Sequence, residues 1–246
     1  MYLCGLSFCI LFTHPYRERT SFLVNPLAAI FSLGFVLAGF VIMLIEERSG
    51  KIKHLQLVCG MNKCIYWLST FAWDLVWYLI FTIFVVILYA AFQDPYFTTP
   101  VIFPVFYLIL FCYGLATIPW MYVLSFAFSS PATAYVVLFC LNFFVGFSLL
   151  IIDAILVYLS DLDDADEILQ YYLVFFPVPS YSLVRTMMYF SLDYPLILDL
   201  ATLTSKPIPN ILSKLGPFIG SLLAQTLLYT LIIVTIELAP YVIKLA

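Results

Sequence analysis

Six ionisable side chains fall within nine positions: Glu46, Glu47, Arg48, Lys51, Lys53 and His54. They sit inside the stretch "EERSGKIKHLQLVCG" (46–60), which lies between two long apolar runs. No nucleophile and base are paired there, so the chemistry these groups offer is charge-mediated binding. Drawn on a helical wheel, 46–60 places Ile52, Leu55 and Cys59 on one stripe and Glu46, Glu47, Lys51, Lys53 and His54 on the opposite arc. This pattern predicts an amphipathic helix along a membrane surface. Two roles remain open at this point: a solvated basic loop that fixes topology, or a helix on which another protein docks.

The remaining candidate residues are polar groups in apolar surroundings. Asp74 lies two turns into an apolar run, where a carboxylate costs about 2.5–3.5 kcal/mol at mid-membrane and less near the interface. It is expected to face other helices or a water-filled cavity. Asn142 and Gln225 also lie within apolar runs and are expected to form interhelical hydrogen bonds. Gly216 and Gly220, extended by Ala224, form a G-x-x-x-G pattern that lets two helices pack closely.

Other clusters carry less. Asp161, Asp163, Asp164, Asp166 and Glu167 lack the glycine and the ligand spacing of a calcium loop, and read as a solvated loop. The six cysteines contain no C-x-x-C, and His14 and His54 are the sole histidines, so no metal site is assigned. The thiols are expected to pack as small apolar groups, with a Cys4–Cys9 disulfide left open. G-x-x-x-x-G-K-[ST], G-x-S-x-G and H-E-x-x-H are all absent. No catalytic, cofactor-binding or metal residue is therefore assigned in this chain.

The elements that must position these groups follow from hydropathy. The 246 residues are 65% hydrophobic and 10% charged, with a mean hydropathy of +1.10. A soluble domain is nearer about 45–50% apolar and about 25% charged. An all-α membrane protein results, with spans expected at about 22–45, 65–92, 101–128, 134–159 and 215–236. Between 168 and 192 the apolar run is split by "FPVPS" (176–180) into halves too short to cross, which predicts an external re-entrant helical hairpin. Arg48, Lys51, Lys53 and Lys63 put four of the ten basic residues beside the first two spans, so that loop is expected in the cytoplasm. Arg17 and Arg19, on the opposite side, weigh against this orientation. The net charge of −4 comes without a basic patch, which excludes nucleic acid as a partner.

Glu47-Arg48, Lys51, Lys53-His54-Leu55-Gln56 and Gly60, then Tyr66-Trp67 and Trp73-Asp74, resemble the second membrane domain of subfamily A ABC transporters, the large eukaryotic lipid exporters. The likeness continues through Tyr113-Gly114, Pro119, Met121-Tyr122, Ser125-Phe126, Phe128, "PATAYV" (131–136) and Asn142 to Gly146, and covers most of 22–237. Val184 departs from it, standing before Arg185 where the family tends to have glycine. Family halves also carry a further membrane helix, a large ectodomain and a nucleotide-binding domain, none of which is in this sequence. By resemblance, residues 1–21, with "THP" at 13–15, are expected to be a remnant of that ectodomain and 22–246 an exporter membrane domain.

The resemblance implies that the segment at 46–60 is a coupling helix seated on an ATPase domain. Glu47, Arg48, Lys51, Lys53, His54, Leu55, Gln56 and Gly60 would then form the docking surface. It further implies lipid as cargo, a second transporter half as partner, and ATP with Mg2+ bound by a nucleotide-binding domain supplied in trans or on further sequence. The competing expectation is a truncated or structural membrane protein with no transport of its own.

Overall fold

The computed structural model describes residues 17–91, 102–159, 177–190 and 211–245. Within them the chain forms seven α-helices and, among the described residues, no strand. They are α1 (Arg17–Ser49), α2 (Ile52–Val58), α3 (Lys63–Ala91), α4 (Ile102–Ser125), α5 (Pro131–Leu159), α6 (Pro179–Met188) and α7 (Ile211–Leu245). Five of them are long and apolar enough to cross a membrane, over Val24–Ser49, Lys63–Tyr89, Ile102–Ser125, Pro131–Ile152 and Leu215–Glu237.

Helix boundaries follow local chemistry. α1 runs past the expected span end and carries Glu46, Glu47 and Arg48 on its last turn. It stops at Gly50, whose amide makes the last helical bond, to the Glu46 carbonyl at 2.8 Å. Lys51 then turns left-handed at φ 57°, a conformation a Cβ disfavours, and α2 starts in a new direction. The single helix expected over 46–60 is therefore corrected to the end of α1, a break at Gly50 and Lys51, and a separate seven-residue α2. Gly60, at φ 96°, permits the second turn, into α3. The third span ends at Ser125 rather than Phe128 because three successive i to i−3 bonds, from Phe126, Ala127 and Phe128, close the chain into turns. Pro131 opens α5 at a first helical position, where its missing N–H costs nothing. Pro119 sits inside α4, which continues through it to Ser125.

α4 is the axis of the bundle. It packs against α7 along much of its length and touches α1, α3, α5 and α6, while α1 and α5 form the other extensive pair. The core is correspondingly aromatic and aliphatic around α4: Phe106, Ile109, Tyr113, Ile118 and Tyr122 are fully buried there. Gly114 lets α3 come close, with the Tyr78 ring lying where a Cβ would stand. The Tyr78 hydroxyl completes that contact by donating to the Leu110 carbonyl at 2.7 Å.

α6 is short and enclosed by α1, α4, α5 and α7. Ser180 at its start donates to Asn142 Oδ1 at 2.8 Å, and Asn142 is eleven residues into α5. Just beyond its end, Phe190 meets Phe106, near the start of α4, with ring centroids 6.4 Å apart. α6 thus runs from the middle of the bundle to the end away from α2, and at 1.5 Å per residue its ten residues reach only about 15 Å. The other arm of the expected hairpin, 168–176, and the acidic run 160–167 lie outside the described residues.

Candidate functional site: a short helix held at one end of the bundle

α2 lies at the end of the bundle where α1, α4 and α7 finish and α3 and α5 begin, and its residues divide sharply between two faces. Lys53, Gln56 and Leu57 are half-buried against the bundle. Ile52, Leu55 and Val58 point away from it, at 46%, 62% and 71% exposure. Lys51, His54, Cys59 and Gly60 are exposed beside them. Apolar residues at i, i+3 and i+6 share one side of a helix, so the outward face is an apolar stripe flanked by Lys51 and His54.

The inward face is fastened by charge. Lys53 Nζ lies 3.2 Å from both carboxylate oxygens of Glu237 on α7. Lys63 Nζ approaches the same carboxylate at 3.8 Å. The Lys53 ammonium also stands 4.5 Å from the centroid of Trp67 and 4.9 Å from that of Tyr66, within cation–π range. Burial pushes the Lys53 ammonium below its ordinary pKa, and the Glu237 carboxylate pulls it back up.

Two further contacts fix the end of α1. Tyr66 donates its hydroxyl to Glu47 at 2.7 Å. Arg48 reaches α4, where it donates to the Ser125 carbonyl and hydroxyl and stacks over Phe126, 4.6 Å from the ring centroid. Deeper along the same helices, Tyr122 donates to the Asp74 carboxylate, which is 6% exposed. Asp74 therefore faces α4 rather than the outside of the bundle.

The eight residues grouped by resemblance as a docking surface are thus not one surface. Glu47, Arg48 and Lys53 are engaged with the bundle, and Gln56 is turned toward it. Lys51, His54, Leu55 and Gly60 face out, joined by Ile52, Val58 and Cys59. Glu237, the inner anchor, was visible in the sequence as the first charge after an apolar span. Val58 was visible as the residue three beyond Leu55, but the i, i+3, i+7 stripe from Ile52 ended instead at Cys59, one residue past the end of α2.

The other singled-out residues are distributed through the bundle. Asn142 is buried and bound to Ser180, and Gln225 is fully buried on α7. Gly216, Gly220 and Ala224 lie on an exposed stripe of α7, with nothing within 4 Å of a Cβ at either glycine. Among the described residues, no helix packs against either glycine. Among the described residues no group of His, Cys, Asp and Glu is arranged to hold a metal.

Comparison with known proteins agrees with this architecture. The chain is 40% identical over 153 residues to the phospholipid-transporting ATPase ABCA7 of Homo sapiens, a stretch that is 61% of this chain and 7% of that protein. It is 43% identical over 123 residues to the retinal-specific phospholipid-transporting ATPase ABCA4 of Homo sapiens, covering 50% of this chain and 5% of the relative. A third relative, the ATP-binding cassette sub-family A member 2 of Homo sapiens, is 39% identical over 131 residues, 53% of this chain and 5% of its own length. The chain therefore corresponds to a small part of the relatives it matches. The profile of the ABC-2 family transporter proteins matches residues 15–235, and the chain belongs to that family as an integral, multi-pass membrane protein.

Proposed function

We propose that this chain is the membrane-domain portion of an ATP-driven exporter that moves lipid across or out of the bilayer, worked by a nucleotide-binding domain seated on α2. The observation that carries the reading is the orientation of α2. Its apolar residues Ile52, Leu55 and Val58 are turned away from a bundle that could have buried them. Leaving three adjacent apolar side chains in water is costly, at about 25 cal/mol per Å2 of apolar surface, so such a stripe marks a contact. Lys51 and His54 at its edge would contribute orientation and association rate more than affinity.

Membership of the ABC-2 family supports an ATPase domain as the occupant. The names of the ABCA7 and ABCA4 relatives support phospholipid as the cargo class. α6, which spans only half the bundle, is read as one arm of a re-entrant hairpin whose buried polar contacts hold it among the spans. ATP and Mg2+ belong to the docked domain in this reading. The exposed stripe of Gly216, Gly220 and Ala224 is left for a helix of the other transporter half.

Reconstitution tests the reading. The chain in proteoliposomes with a subfamily A nucleotide-binding domain should redistribute a fluorescent phospholipid between leaflets when ATP is added, and should not do so without that domain. If the complete pairing captures the domain yet moves no lipid of any headgroup, the chain is a structural membrane protein.

A further inference from the structure

We propose that Glu237 is a positioning residue: by gripping Lys53 of α2 and Lys63 of α3, its carboxylate makes displacement of α2 a displacement of α7, and through α7 of α6. Both Glu237 oxygens lie 3.2 Å from Lys53 Nζ, with the two side chains each 17% exposed, so this is a partly dehydrated, two-point contact. The aromatic walls of Tyr66 and Trp67 keep the ammonium from swinging away. α2 is only seven residues long, and nothing in it is buried. Its attachment therefore rests on its two linkers, on this side chain and on the half-buried Gln56 and Leu57 rather than on a fully buried apolar core.

The far end of the connection is also on α7. Eight residues before Glu237, about 12 Å along the helix, Tyr229 donates its hydroxyl to the Pro177 carbonyl at the entry to α6. The Tyr229 ring also packs on Trp120 of α4, with centroids 4.9 Å apart. A rigid helix thus bears the α2 anchor at one point and the α6 anchor at another. Coupling of this kind needs a measured interaction energy rather than adjacency alone. The inference rests on α2 being the loaded element, but the Glu237 joint can be measured without any partner.

Hydrogen exchange of the chain in lipid nanodiscs is that measurement. Glu237→Gln should raise amide exchange over 52–58 by roughly two- to tenfold, the range expected for a partly exposed ion pair reinforced by aromatic rings. Lys53→Met, which keeps the stem over Trp67, should do the same, and the double variant should add nothing further over 52–58, because the Lys53–Glu237 pair is the contact of α2 that both variants remove and Lys63 lies on α3. Unchanged exchange in Glu237→Gln, or additive effects, would overturn the joint. A second arm adds a subfamily A nucleotide-binding domain with ATP. Glu237→Gln should capture the domain as the parent does, since the outer face is untouched, but should lose the parent's change in exchange over 177–190. A retained response would show that α6 is reached by another route. Failure of the parent to capture the domain would count against the docking reading, leaving the joint to be judged by the first arm.

Discussion

Arg48 grips Ser125 at two points, donating from Nη1 to the carbonyl at 3.0 Å and from Nη2 to the hydroxyl at 2.9 Å. The Ser125 hydroxyl passes the interaction on to the Tyr122 carbonyl at 2.7 Å. α1 and α4 are thereby joined at their ends, next to the break that precedes α2. A planar guanidinium makes this fork and stacks on Phe126 at once, which an ammonium cannot.

Arg48→Ala should therefore destabilise the fold by about 1–2 kcal/mol, below the upper range for charged hydrogen bonds because the side chain is half-buried. Arg48→Lys should recover less than half of that loss. Reversible unfolding in mixed micelles checks both, and equal stability of the lysine variant and the parent would mean that charge alone is used.

The pair formed by Tyr122 and Asp74 should behave as a unit. Tyr122→Phe leaves a buried carboxyl group without its donor, at a cost of about 1–3 kcal/mol. Tyr122→Phe combined with Asp74→Leu should lie closer to the parent than Tyr122→Phe alone, since no buried polar group is then stranded. A double-mutant cycle in the same micelles should give a coupling of about 1–2 kcal/mol, at the high end for bundles in lipid. Additive losses would place Asp74 with some other partner.

The glycines separate close approach from mere spacing. A Cβ at Gly114 would overlap the Tyr78 ring, which is fully buried and tied to Leu110 by its hydroxyl. Gly114→Ala should cost about 1–3 kcal/mol by overpacking. Gly220→Ala, where a Cβ meets nothing within 4 Å, should be neutral or stabilise the isolated chain by up to about 1 kcal/mol through helix propensity. Thermal unfolding of the two variants side by side decides whether α7 hides a partner within the chain.

These residues also mark what the sequence makes legible. The spans could be placed because an apolar run of twenty or more residues with at most one charge has one stable arrangement in lipid, and 22–45 and 65–92 fall within α1 and close to the bounds of α3. The sidedness of Asp74 follows from the cost of exposing a carboxylate to lipid. A wheel sets Lys53 opposite Leu55, as the structure does, but it does not say which of the two faces meets the bundle, and an amphipathic pattern suggests the apolar one. The partner of Lys53, Glu237, lies 184 positions away, beyond any periodicity. The G-x-x-x-G on α7 shows the limit from the other side, since spacing states that a close contact is possible and not which helix makes it.

Capture of a subfamily A nucleotide-binding domain by the chain, measured by copurification, tests the docking role of α2 most directly. Ile52→Asp, Leu55→Asp and Val58→Asp together should weaken capture by at least roughly tenfold, because a desolvated apolar centre carries most of the energy of a contact. Lys51→Ser with His54→Ser should lower the association rate and its salt dependence with a smaller loss of affinity. Glu47→Gln, whose side chain is engaged with Tyr66, should leave capture unchanged. Undiminished capture by the triple aspartate variant, with the bundle still folded, would contradict the account and return α2 to the role of a topology signal.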